Sequence, residues 1–316
     1  MSDGPRHVAI VGATGTGKTA LACELARRLP AVELVSVDAM SVYAGMDIGT
    51  AKPTASELSA APWHLLDLVD PSDEFSVADF QVAAERVIAS VEGNGGTAVL
   101  VGGTGLYHRS IVDSLSIPGR YPDVVAELDP QDTARLFDRL ALLDAVAASR
   151  MTPGNRRRIV RALEVTIGSG RPFSSYGPGL EAYPESRFVQ VGLDIDRPEL
   201  AVRLEKRLDE QLAAGFVEEV RRLLERPGGL SRTARQALGY RELLTHVEEG
   251  VPLEAARSET LRRTRLFAKR QQSWFRRDPR ITWFDAVRPD LADAVAEHVE
   301  RSLPVHFSAG RDQVRR

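Results

Sequence analysis

A single cysteine, Cys23, in 316 residues excludes an intrachain disulfide and a cysteine-based zinc cluster. No apolar stretch is long enough to span a bilayer, and the opening Met1 to Pro5 is too short and polar for a signal peptide. The expectation is a cytoplasmic protein with no membrane role and no obligate protein partner. Internal repeats are absent too. The formal charge is −3, so there is no overall excess of positive charge to attract a polyanion. The positive residues are clustered, however, and local field counts for more than the sum. With 43% hydrophobic and 27% charged residues, the composition is that of a folded protein with one large core or two smaller ones.

What the chain does have is concentrated near its start. Gly12-Ala13-Thr14-Gly15-Thr16-Gly17-Lys18-Thr19 fits G-x-x-x-x-G-K-[ST] at every fixed position, follows the apolar run Val8 to Val11 and opens a helical pattern. In such a turn the backbone N–H groups and a helix N-terminus face the same way, Lys18 adds a point charge, and the Thr19 hydroxyl can ligate a magnesium ion. A polyphosphate is the expected ligand, and the loop alone does not say which.

Val32 to Val37 reads as a second buried strand ending at Asp38, and Thr97 to Val101 as a third, left through Gly102-Gly103-Thr104-Gly105. Between them Ser76-Val77-Ala78-Asp79 starts a helix in capping-box style, with apolar residues at helical spacing through Phe80, Ala84, Val87 and Val91. Arg187 to Leu193 looks like a returning strand. From Asp196-Arg197-Pro198 the remainder is mainly helical, with stops at Gly215, Gly228 and Gly250. This order predicts an α/β fold: a P-loop NTPase-like parallel sheet flanked by helices, with a helical insertion domain and a helical C-terminal half. The expected divisions are 1–115 for the first part of the core and 116–155 for an insertion broken by Pro118, Pro122, Pro130 and Pro153. Residues 156–290 then complete the core with a helical part, and 291–316 form a last helix and a tail that frays from Phe307. Open sheets bind ligands beyond the carboxyl ends of their strands, so the phosphate loop, Asp38 and Thr104 are expected to converge there.

Asp38 could accept a proton from a bound nucleophile, cap the following turn, or stand behind a magnesium ion. Thr104 faces a similar choice between turn and site, and its place opposite the phosphate loop favours the site. The third strand lacks a terminal Asp, which argues against a motor or switch NTPase and leaves a small-molecule kinase open. Two basic tracts stand apart. Arg156-Arg157-Arg158-Ile159-Val160-Arg161 opens a helix, where positive charge opposes the macrodipole and suggests an anionic partner. Arg262, Arg263, Arg265, Lys269, Arg270, Arg276 and Arg277 are interleaved with Phe267, Trp274 and Phe275, with no acid from Leu261 to Arg277. This second tract reads as either a solvated face or a backbone-binding groove for RNA with its aromatics mainly in the core. His64 reads as structural.

Further blocks add specificity: Gly45-Met46-Asp47-Ile48-Gly49-Thr50-Ala51-Lys52-Pro53, His64-Leu65-Leu66-Asp67, Val101 to Tyr107, Arg158 to Val165, Gln236-Ala237-Leu238-Gly239-Tyr240-Arg241-Glu242, and Ala268-Lys269-Arg270-Gln271. With the phosphate loop and Asp38-Ala39-Met40, they make the chain resemble the tRNA dimethylallyltransferases, in the bacterial form, from residue 8 to about 285. The resemblance implies transfer of a dimethylallyl group from its diphosphate to N6 of the adenosine 3′ of the anticodon. Its implied partners are dimethylallyl diphosphate and the tRNA anticodon stem-loop, and its implied cofactor is Mg2+ on Thr19. Asp38 and Thr104 would be catalytic, and Gly12 to Thr19 with Arg207 would bind the diphosphate. Contacts to tRNA would come from Asp38, Ala39, Met40 and Ser41, from Arg157, Arg158, Ile159, Val160 and Arg161, and from Gln236, Gly239, Tyr240 and Arg241. Departures from the family pattern are Ser41 for a frequent Gln, Ala44 for an Arg, Arg157 for a Gln, and Val125 where an RNA-contacting Arg is usual, with Arg120 as a possible substitute. The remaining alternatives are an adenylate isopentenyltransferase, a small-molecule kinase, and a phosphate-binding RNA protein without catalysis.

Overall fold

A parallel sheet covered on both faces needs strands that are apolar throughout, and the runs identified above form such strands. The computed structural model describes residues 4–303. Before Asp113 the order is β1 (His7–Gly12), α1 (Lys18–Arg28), β2 (Val32–Val37), α2 (Ala55–Leu58), β3 (Trp63–His64), α3 (Val77–Gly93), β4 (Thr97–Gly102) and α4 (Gly105–Val112). Next come α5 (Pro122–Leu128), α6 (Thr133–Leu143), α7 (Ala145–Ser149) and α8 (Arg156–Ser169). The chain continues through β5 (Phe188–Asp194), α9 (Arg197–Ala213), α10 (Phe216–Leu224), α11 (Tyr240–Glu249), α12 (Leu253–Phe275), β6 (Ile281–Asp285) and α13 (Leu291–Ser302). Two compact units result: Asp113–Pro184, and the segments on either side of it.

In the larger unit the sheet order is β3-β2-β4-β1-β5-β6, and every pairing is parallel. The two edge strands, β3 and β6, are additions to the sequence-based reading. The first is two residues long and the second only partly buried, so neither shows the apolar run that marks the others. Alternate residues of β1 supply the two core layers, as strand geometry requires. Val8 and Ile10 pack with Leu21 and Leu25 of α1 and Val295 and Val299 of α13, whereas Ala9 faces the layer of Phe80, Ala84 and Ile88 from α3. The Ser76–Asp79 capping box is present, and Ile88 rather than Val87 is the fully buried residue of that turn. Pro198 lies within the first turn of α9, while Asp196 stands at its N-cap without a side-chain cap bond. Among the described residues no helix is long and apolar enough to cross a membrane.

Register brings the strand ends level. Val11 pairs with Gly102, Val37 with Gly102, and Gly12 with Leu193, so β1, β2, β4 and β5 all stop at one edge. The phosphate loop, Asp38 and Gly103-Thr104 therefore emerge side by side where the strand order reverses about β1.

The smaller unit is wider than the expected 116–155 insertion, because α8 completes its core: Ile159, Ala162 and Leu163 pack on Leu128, Leu136 and Leu140. It buries the carboxylates of Asp144 and Glu164. Asp144 accepts bonds from the backbone of Ala147 and Ser174 and from the Ser174 hydroxyl, and these donors hold its carboxyl below the usual range despite burial. The expected frayed tail from Phe307 lies outside the described residues.

Candidate active site

The phosphate loop leaves β1 and enters α1 through Gly17, whose φ of 89° is left-handed. The Thr16 hydroxyl donates to the Ala13 carbonyl at 2.9 Å and Lys18 Nζ to the same oxygen at 2.7 Å, so the loop closes on itself. Arg207 reaches in from α9 and donates from Nη1 to Thr14 Oγ1 at 3.3 Å. Burial and the neighbouring Arg207 pull the Lys18 ammonium down to about 7, and burial also lowers Arg207. Asp38 is the acid whose field supports both cations. Two desolvated positive groups sharing one nearby carboxylate form a site that gains by admitting an anion.

Gln271 of α12 ties this loop to the opposite turn. Its Oε1 accepts from Thr14 N at 2.9 Å and its Nε2 donates to the Gly103 carbonyl at 2.9 Å. A Cβ on Gly103 would lie 2.3 Å from that amide nitrogen, so only glycine leaves room for the bridge. Thr104, held at the start of α4, is half-buried, and its hydroxyl has no protein partner among the described residues.

Asp38 divides its two oxygens between tasks. Oδ1 accepts from Met40 N at 2.8 Å and Ser41 N at 3.1 Å, while Oδ2 has no protein partner among the described residues. Capping and proton acceptance, alternatives in the sequence, are open to one side chain at once. A pocket of about 360 Å3 is lined by Thr14, Asp38, Met40, Thr104 and Arg207. Its apolar side is made by Leu204, Leu208, Phe216, Leu238, Leu261 and Phe267.

The pocket floor at Gly49-Thr50 rests on a buried carboxylate that sequence reading missed. Glu219 accepts from the backbone N–H of Asp47, Ile48 and Gly49 at 3.0, 2.8 and 3.2 Å, and from the Tyr240 hydroxyl. Gln211 Nε2 donates to the Ile48 carbonyl at 2.6 Å, and Lys52 Nζ to the Tyr43 carbonyl at 2.7 Å. These bonds hold the Gly45–Pro53 block in place. Glu242 likewise accepts from Gly239 N at 2.9 Å and pairs with Arg263 at 3.2 Å, fixing the Gln236–Gly239 wall.

Several residues expected to contact tRNA have side chains that are buried or committed within the protein. Tyr240 is fully buried with its hydroxyl committed to Glu219, which pushes the phenol far above its usual range. Ser41 is 5% exposed, Ile159 belongs to the core of the smaller unit, and Val160 packs against that core. Arg161 donates to the Pro118 carbonyl at 2.8 Å and pairs with Glu164 at 2.8 Å. Arg156 donates to the Asp129 and Gln131 carbonyls at 2.6 and 2.7 Å. Arg157 and Arg158 remain exposed, with no partner for their guanidinium groups among the described residues. Gln236 and Gly239 line the pocket, as does Ala39, and Arg241 is exposed.

The α12 tract is divided in the same way. Arg262 and Arg263 pair with Glu259, Arg265 with Glu205 and Arg276 with Asp194. Lys269, Arg270 and Arg277 are exposed without acid partners among the described residues. Phe267 lies at the pocket rather than in the core, with the Arg270 guanidinium 5.8 Å from its ring centre. His64 is structural, its Nε2 hydrogen-bonded to Glu33 at 2.5 Å. Thr19 is half-buried in the first turn of α1. Among the described residues no group of three or more His, Cys, Asp or Glu could hold a metal ion by itself.

Comparison with known proteins agrees with this geometry. The family model described as IPP transferase matches residues 41–278. A tRNA dimethylallyltransferase of a Nocardioides species is 48% identical over 300 residues, covering 94% of this chain and 96% of that protein. One from Streptomyces coelicolor is 44% identical, covering 95% and 97%. The full-length tRNA isopentenylpyrophosphate transferase of Bacillus halodurans superposes with a TM-score of 0.71 at 36% identity, covering 94% of this chain and 96% of that one. A eukaryotic dimethylallyltransferase acting on tRNA gives 0.76 at 25% identity, covering 93% and 77%.

Proposed function

We propose, for a chain that belongs to the IPP transferase family and transfers a dimethylallyl group to tRNA, that the pocket between Asp38, Thr104 and the phosphate loop is where the transfer occurs. The N6 of an adenosine attacks C1 of the allyl group, the C1–O bond breaks, and diphosphate leaves. The free oxygen of Asp38 takes the proton of N6 while its other oxygen stays on the Met40 and Ser41 amides. That transfer matters because the lone pair of N6 is delocalised into the ring. The Thr104 hydroxyl hydrogen-bonds at the reacting centre. Loop amides, Lys18 and Arg207 stabilise the negative charge as it develops on the diphosphate. The Thr19 hydroxyl, half-buried in the first turn of α1, would hold a magnesium ion, which would supply further charge neutralisation when bound.

The single observation that carries this reading is the pocket's composition. Unpartnered oxygens of Asp38 and Thr104 and the Arg207 guanidinium open on the same space as an apolar side suited to a hydrocarbon, with Lys18 in the field of Arg207 and Asp38. A kinase acceptor hydroxyl gives no reason for that side. The adenosine must leave the anticodon-loop stack, at a cost of about a few kcal/mol. Backbone contacts from Arg157 and Arg158, and from Lys269, Arg270 and Arg277, are suited to offset it. The reaction belongs in the cytoplasm, with tRNA.

The test is incubation with magnesium, dimethylallyl diphosphate and either tRNA or AMP, and separately with ATP and acceptors, followed by mass spectrometry of the nucleosides. Prenylated adenosine in tRNA is the expected product. Its absence overturns the reading.

A further inference from the structure

Beside the reaction pocket lies a second, larger cavity of about 840 Å3, a groove lined from α9 and α12 whose apolar floor is Leu200, Leu204, Leu261, Leu266 and Ala268. Leu204 and Leu261 line both spaces. They are 3% and 7% exposed, and both belong to the cluster that includes Ala13 of the phosphate loop. Leu204 also packs on the loop itself, since a Cβ on Gly15 would lie 3.0 Å from its Cδ2. The wall between pocket and groove is therefore built in part from two leucine side chains, one of them against the loop that grips the diphosphate.

We propose that Leu204 and Leu261 set the length of the prenyl group that this enzyme transfers, by closing the reaction pocket against the groove behind it. The inference rests on the reading of the pocket as the site of prenyl transfer. The pocket of about 360 Å3 takes the adenine ring and the allyl group beside the diphosphate, with Leu204 and Leu261 in its apolar lining. Trimming either leucine opens the pocket toward a groove whose floor is apolar and whose rim carries Arg197, Glu205, Arg257, Arg262, Arg265 and Lys269. The chemistry is indifferent to the extra length. A geranyl diphosphate carries the same allylic C1–O bond, which breaks as N6–C1 forms, with the proton again going to Asp38 and diphosphate leaving.

The experiment offers dimethylallyl and geranyl diphosphates together, with tRNA, to the wild type and to Leu261→Ala, Leu261→Val, Leu204→Ala and Leu266→Ala, and quantifies both modified adenosines. Leu266 lines the groove alone and is 43% exposed, so its variant is the control. The wild type should make the dimethylallyl product almost alone. Leu261→Ala and Leu204→Ala should each raise the geranyl-to-dimethylallyl ratio of kcat/KM by about 10-fold or more, the scale set by a few methylenes in a hydrophobic pocket. Leu261→Val should raise it less and Leu266→Ala not at all. An unchanged ratio in Leu261→Val and in whichever alanine variants fold overturns the proposal, as does an equal shift in Leu266→Ala. A wild type inactive with dimethylallyl diphosphate overturns the transfer reading beneath it instead.

Discussion

Half-buried Lys18 and Arg207 at the phosphate loop, and buried Glu219 behind the pocket floor, are charges in opposite circumstances. Glu219 is saturated by its own chain, with backbone amides of Asp47, Ile48 and Gly49 and the Tyr240 hydroxyl filling its oxygens. Lys18 and Arg207 have a carbonyl, a hydroxyl, the shared field of Asp38 and, for Arg207, that of Glu57. The difference teaches how to tell a charge that builds the site from one that serves it. A buried ion whose partners are all internal holds structure, whereas one left short of counter-charge is prepared for a ligand. The same division separates Arg156 and Arg161, which are tied to carbonyls and Glu164, from Arg157 and Arg158.

The sharpest way to break the contrast is to remove the shared acid. Asp38→Ala should lower turnover by about 10²- to 10⁴-fold, the scale of a lost general base, while tRNA affinity measured by filter binding changes little. Equal turnover would take Asp38 out of the mechanism. On the other side of the pocket, Glu219→Ala should act on stability. Amides and a phenol left unsatisfied cost about 1–3 kcal/mol each, so urea unfolding should show a loss of about 3 kcal/mol or more. A stable variant with only a raised KM would mean that Glu219 serves the ligand directly.

Lys18 gives a pH signature of intermediate size. Its ammonium titrates at about 7 in the free protein, and a bound diphosphate favours the charged form. Binding above that pH must therefore take up a proton, and affinity should fall as pH rises from about 7.5 to 9, by at most about tenfold per unit. Calorimetry of pyrophosphate binding in buffers of different ionisation enthalpy measures the uptake, and none at pH 8 would show that Lys18 is already charged. The smallest effect belongs to the arginines. Arg157→Ala with Arg158→Ala should flatten the salt dependence of tRNA binding by about one released ion per lost phosphate contact, without change in melting temperature. Arg156→Ala with Arg161→Ala should instead lower the melting temperature. If the two pairs behave alike, partner-counting is not a guide to function here.

Much of the scaffold was legible because it follows local rules. β1, β2, β4 and β5 are short apolar runs, the Ser76–Asp79 box caps its helix within four residues, and the phosphate loop carries its own geometry. The site was legible as far as strand ends could be aligned, which brought Asp38 and Thr104 to the loop. Burial was not. The Gln236–Glu242 block looked like a row of contacts, and the fold gives Gln236 to the pocket, Tyr240 to Glu219 and Glu242 to Gly239 and Arg263. The acid-free stretch from Leu261 to Arg277 looked uniformly cationic because Glu259 lies just before it and its other partners, Glu205 and Asp194, are distant in the chain.

The sequence by itself determined the phosphate loop, the parallel sheet and the family, since each depends on residues that act within a few positions of one another. Tertiary structure decided which charges are spent and which are free. Thr14 and Gln271 meet across 257 positions and Glu219 reaches Asp47 across 172, and no local pattern announces such pairings. A hydrogen bond needs two groups within about 3 Å, and only the folded chain brings them there.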